Sequence, residues 1–101
     1  MGKKMKMGKN KTELAVLVTT AHRGVFFGYA TDTTGETIEL RNARNCLHWT
    51  ADVKGFMGLA ATGPSKTCRV GPRADIEVRH ITSVVACSPE AAEKWEAAPW
   101  A

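Results

Sequence analysis

The stretch Ala21–Trp49, AHRGVFFGYATDTTGETIELRNARNCLHW, constrains this chain more than any other. It opens with alternation of period two. Val25, Phe27 and Tyr29 fall on one side, and Gly24, Phe26, Gly28 and Ala30 on the other, the pattern of a strand over residues 23–32. Asp32-Thr33-Thr34-Gly35-Glu36 supplies hairpin-turn chemistry. Thr37–Asn42 then alternates again, with Ile38 and Leu40 inward and Thr37, Glu39 and Arg41 outward. Gly28 inside a strand marks a bend or a close backbone approach. A kink near Ala43 leads to a possible further strand through Cys46, Leu47 and Trp49.

The remaining elements follow from the same patterns. Glu13–Thr20 is a Val-, Leu- and Thr-rich first strand, and its run Leu14–Val18 implies burial on both faces or one face against a partner subunit. His22-Arg23-Gly24 makes a turn. Val53–Thr62 reads as a short helix or an apolar plug, weakened by Gly55 and Gly58. Gly63–Arg73 is a loop punctuated by Pro64, Gly71 and Pro72. Asp75–His80 and Ser83–Cys87 read as strands. Ser88 is an N-cap with Pro89 at the first helical position, opening a terminal helix that stops at Pro99 and docks through Trp95. The fold class is mainly β with α+β content. The architecture expected is a small SH3- or Sm-like β-barrel of about five strands with a C-terminal helix. Residues 12–101 form one domain, preceded by a disordered basic tail over 1–11.

Charge is unevenly placed. Five of the 14 basic residues, Lys3, Lys4, Lys6, Lys9 and Lys11, lie in that tail without an acid, leaving nine against ten acids in the body. The arginines of the body therefore stand on a near-neutral surface. This favours a compact anion over a long polyanion as their ligand, while the tail could touch nucleic acid or serve solubility. No apolar run is long enough to span a bilayer, and no signal-peptide core follows the basic start, so a cytoplasmic protein is expected. Cys46, Cys68 and Cys87 lack disulfide or zinc spacing and read as reduced thiols.

Three groups of residues could bind a ligand. The first is Arg41, Asn42, Arg44, Asn45, His48 and Trp49: guanidinium forks suit phosphate, asparagine reads a base edge, and indole stacks on a base. The competing reading makes Trp49 core, Arg41 a solvated strand position, His48 structural and the asparagines turn formers. The second is the loop 62–73 with Lys66, Arg69 and Arg73, and Phe56 nearby as a stacking ring. Its likeness to a phosphate-binding P-loop fails, because Pro64 and Ser65 stand where lysine should follow Gly63. The third is His22-Arg23, which with Arg79-His80 would make a basic rim if the two strand ends meet. No metal site, cofactor, catalytic nucleophile or acid–base pair is indicated.

Two resemblances add to this. Gly24–Ala30 with Ile38-Glu39-Leu40 and Ala43 resembles the first half of an Sm-like barrel, although Arg73-Ala74 stands where such proteins carry a basic residue followed by glycine. The segments HRGVFFGYA, RNARNC, DVKGFMGLAATGP and SPEAAEKWEAAPW resemble an uncharacterised family of small phage and prophage proteins. That resemblance implies a viral protein acting in the host cytoplasm by binding. The leading expectation is a non-catalytic, homo-oligomeric protein that sequesters a nucleotide or cyclic-nucleotide immune signal, an anti-defence role. The alternatives are an Sm-like nucleic-acid binder, or an interaction protein that inhibits a host protein.

Overall fold

A computed structural model describes residues 13–99. The lysine-rich segment 1–11 and Trp100, expected to be a tail and an anchor or subunit contact, lie outside them. The elements are β1 (Leu14–Thr20), β2 (Val25–Ala30), β3 (Ile38–His48), a single 3-10 turn (Ala51–Val53), α1 (Gly55–Thr62), β4 (Arg69–Val70), β5 (Ala74–Val78), β6 (Ile81–Ala86) and α2 (Pro89–Ala97). The chain is mainly β, with a C-terminal helix, as its patterning predicts.

All strand pairs are antiparallel, in the order β4-β3-β2-β1-β6, with β5 also paired to β3. β3 is 11 residues long and, besides pairing with β2, serves two further partners: Ile38–Ala43 meets β5, and Cys46–His48 meets β4. The expected kink near Ala43 is a bulge inside one continuous strand. Asn42 sits there at φ 52, a left-handed conformation asparagine tolerates, and its N–H donates to Asp75 Oδ1 at 3.0 Å. The expected five-stranded barrel is instead an open six-stranded sheet, since among the described residues no pairing joins β6 to β4 or β5.

The extra residue at the bulge changes which face β3 presents. Ile38, Leu40 and Ala43 pack with Val16, Val18, Ala30 and Val78 on one face of the sheet. Beyond the bulge, Cys46 packs with Leu17, Val25 and Phe27 on the other face, under Val53, Leu59, Ala91 and Trp95 from the helical side. Within the apolar run of β1, Leu17 enters one core and Val16 and Val18 the other, while Leu14 stays exposed.

Helix α2 begins where its cap is written: Ser88 Oγ accepts from Ala91 N at 2.9 Å, with Pro89 in the first turn. Trp95 is fully buried, stacks on Phe27 with ring centroids 5.4 Å apart, and donates from Nε1 to Leu59 O at 3.1 Å. Burying an indole of this size with its N–H satisfied is the main anchor of the helix. Gly58 allows α1 to close on the preceding 3-10 turn, because a Cβ there would lie 1.6 Å from Val53 O. Gly63 ends α1 at φ 84 and ψ 178, where a Cβ would meet Lys94 Cβ at 2.8 Å, so it sets the approach of the two helices.

Candidate ligand site

The segments 41–49 and 62–73 are neighbours. β3 and β4 pair with Cys46 opposite Val70 and His48 opposite Arg69. Gly71 N donates to Asn45 O at 2.8 Å, extending the contact. The register shifts between Cys46 and His48, and this irregularity makes Arg69 the residue opposite His48. Asn45, His48, Lys66 and Arg69 are exposed, and Trp49 is half-buried against the helix-side core. Hydroxyls cluster beside them: Thr50 Oγ1 lies 2.6 Å from Thr67 Oγ1, which lies 2.9 Å from Ser65 Oγ. Thr50 Oγ1 also donates to Asp52, and this bond, followed by one from Ser65, holds the Asp52 carboxyl below its ordinary value. Phe56 lies on the surface of α1 beside Met57, at 36% exposure.

Two expected phosphate holders are engaged elsewhere. Arg44 is 1% exposed. Its Nε donates to Gly71 O at 2.9 Å, and its Nη1 donates to Trp95 O and Ala98 O, both at 2.6 Å. Arg73 Nη2 donates to Glu96 O. Both guanidiniums thus serve the C-terminus of α2, where unpaired carbonyls concentrate negative potential. Burial, and then the charge of Arg73, pushes the Arg44 pKa down. This follows from the bulge: the post-bulge phase that turns Cys46 inward turns Arg44 inward too.

Arg41 lies on a different part of the surface. Its Nε donates to Glu13 Oε2 at 2.7 Å and its Nη2 to Glu13 Oε1 at 2.5 Å, while its guanidinium carbon sits 5.6 Å from the Tyr29 ring centroid. The hydrogen bond to Arg41 is the main cause that lowers the Glu13 carboxyl pKa. These residues line a cavity of about 360 Å³ together with Glu39, Asp75 and Glu77. Its walls are acidic, so Arg41 stands in a setting that repels phosphate. Asn42, as the bulge residue, is used by the backbone.

The third group does assemble. Ala21 N donates to His80 O at 2.8 Å, and the His22 and His80 rings meet edge to face with centroids 5.7 Å apart. Arg23 and His80 both take left-handed backbone conformations, with φ 67 and 59. The turns bearing His22-Arg23 and Arg79-His80 are therefore adjacent. Next to them Thr19 Oγ1 contacts Thr82 Oγ1 at 2.7 Å and Ser83 Oγ at 2.5 Å.

Residues 13–95 match a protein family described as a domain of unknown function, DUF6948. The chain belongs to the DUF6948 family. No curated protein and no solved structure matches it. Among the described residues of this DUF6948 chain, no three His, Cys, Asp or Glu side chains group to hold a metal ion, and no helix is long and apolar enough to cross a membrane. The acidic cavity was missed by sequence reasoning. Glu39 is legible as an outward strand position, but its neighbours Glu13, Asp75 and Glu77 come from β5 and the chain's approach to β1, and only the pairing of β5 with β3 collects them.

Proposed function

We propose that this DUF6948 chain is a non-catalytic binding protein for a compact phosphate-bearing ligand, most concretely a nucleotide or cyclic nucleotide. In this reading His48, Lys66 and Arg69 hold the phosphate, and the open part of Trp49 stacks a base. The observation that carries it is the β3–β4 register, which sets His48 opposite Arg69 with Lys66 exposed on the adjoining loop. Arg41, Arg44 and Arg73 are left out because each already has protein partners. The finer reading is a phage protein that withholds a cyclic-nucleotide immune signal from its host, and it rests on the family resemblance noted above.

Calorimetry against a panel of nucleotides and cyclic dinucleotides tests the proposal. At least one member binds, and Arg69→Ala and His48→Ala each weaken it about tenfold, the size of one charge-assisted hydrogen bond. Arg41→Ala leaves the affinity unchanged. Absence of binding across the panel overturns the reading. Homo-oligomerisation belongs to the same proposal, with exposed Leu47, Phe56 and Met57 as the apolar surface available for it; a monomeric mass by light scattering at micromolar concentration removes it.

A second reading, nucleic-acid binding, is favoured by the convergence of His22, Arg23, Arg79 and His80 at one rim. Its affinity would fall steeply with salt and respond to Arg23→Ala. A salt-insensitive interaction would exclude it.

A further inference from the structure

Among the described residues β4, β5 and β6 each have a strand neighbour on one side only. A free edge presents a row of N–H and C=O groups, and proteins protect such edges with short strands, charge, proline or a bulge. β4 is two residues long, with Arg69 in it and Pro72 just beyond. β5 carries Asp75 and Glu77. β6 reads ITSVVA, six residues without charge or proline. Its one irregularity lies at the Thr82 end, where the register with β1 shifts, and from Ser83 onward it runs regularly. Cys87 N donates to Ala15 O at 2.9 Å, and Val85 and Ser83 stand opposite Leu17 and Thr19. Backbone groups alternate in direction along a strand, so Val84 and Ala86 turn theirs to the free side.

Side-chain burial stops short at the same strand. In β1, Val16, Leu17 and Val18 are buried, whereas in β6 Ile81 and Val84 are only half-buried against one core and Val85 against the other. A further strand beside β6 would extend both cores. The two ends of β6 also differ in charge. At its start His22, Arg23, Arg79 and His80 converge. Just past its finish, α2 brings Glu90 and Glu93, both exposed. Arg79 is matched by Glu77, but Arg23 and Glu90 form no ion pair among the described residues. Such a strand is complementary to itself in the opposite direction. Under a two-fold axis the basic end of each copy lies beside the acidic end of the other, and no like charges oppose each other along the strand between. We propose that β6 pairs antiparallel with β6 of a second copy, joining the two sheets into one. This surface is distinct from Leu47, Phe56 and Met57, and the pairing does not depend on the ligand reading.

Light scattering of the full chain, joined to amide hydrogen exchange by NMR, tests this. At micromolar concentration the mass is twice that of one chain. The Val84 and Ala86 amides exchange about tenfold more slowly in the dimer than after dilution to the monomer, because each gains a hydrogen bond there, while Val85 is protected in both. Thr82→Lys/Ala86→Lys alters two exposed positions and lines the edge with like charges. It gives the mass of one chain with an unchanged circular dichroism spectrum. Thr82→Glu/Ala86→Glu does the same, and mixing the two variants restores the doubled mass. A monomeric native chain would leave the edge to some other strand and overturn the proposal. A dimer that survives the lysine pair, a dimer in which Val84 and Ala86 exchange as they do in the monomer, or a mixture of the two variants that stays monomeric would overturn it as well.

Discussion

Arg44 brings a permanent charge into the interior and distributes it over carbonyls of two segments, the β4–β5 connection at Gly71 and the end of α2 at Trp95 and Ala98. Removing it strands those carbonyls without donors. Arg44→Met, which keeps the volume and drops the fork, is expected to cost about 2–4 kcal/mol in a urea titration, with Arg44→Lys recovering little of it. That role was hidden in the sequence. RNARNC reads as an exposed polar cluster until the bulge at Asn42 is known, and a one-residue slip moves every later side chain to the other face. The cysteines were more legible. Burial, then the neighbouring Cys68, pushes the Cys46 thiol up to about 11, and burial pushes Cys87 up to about 11. A folded-state pKa above the unfolded one means that the native state keeps protons that the unfolded chain gives up. Stability from these thiols is therefore intact below the ordinary value near 9 and falls as pH rises from there to about 11. Denaturation midpoints between pH 8 and 10.5 check this, and a Cys46→Ala/Cys87→Ala variant should flatten the decline.

At the scale of elements, local signals were reliable where they are local. The Ser88 cap, the proline after it and the β2 strand reappear in the structure, and the expected Asp32–Glu36 turn lies within the connection between β2 and β3. What pattern could not supply was partnership: that β3 divides itself between β5 and β4, and that the two-residue β4 gathers Arg69 next to His48. Helix α1 shows the same limit. By propensity, Gly58→Ala should strengthen a helix by about 1 kcal/mol. The structure reverses the sign, since the new methyl would lie 1.6 Å from Val53 O and 2.8 Å from Val53 C, both backbone atoms. Gly58→Ala is expected to destabilise by at least about 2 kcal/mol and to separate α1 from the 3-10 turn. Helical content by circular dichroism together with a thermal midpoint decides between the two signs.

For the whole molecule, charge is sorted by location. An acidic cavity lies along the pre-bulge half of β3, a basic edge lies at its far end, and a second basic rim sits where the β1–β2 and β5–β6 turns meet. The near-neutral body counted from composition thus conceals charge of both signs gathered in separate places, and the leading ligand reading depends on the edge alone. The two cores raise a further point. A small sheet filled on both faces could loosen one side while keeping the other, but β3 gives Leu40 to one core and Cys46 to the other within seven residues of a single strand. Neither core can open without pulling on the backbone that organises its counterpart. Amide hydrogen exchange at Leu40 and Cys46 should therefore report the same opening free energy, equal to that of global unfolding. If so, a ligand seated at His48 would slow exchange at Glu39 and Ile76 as much as at its own contacts, so occupancy at one end could be read from protons at the other.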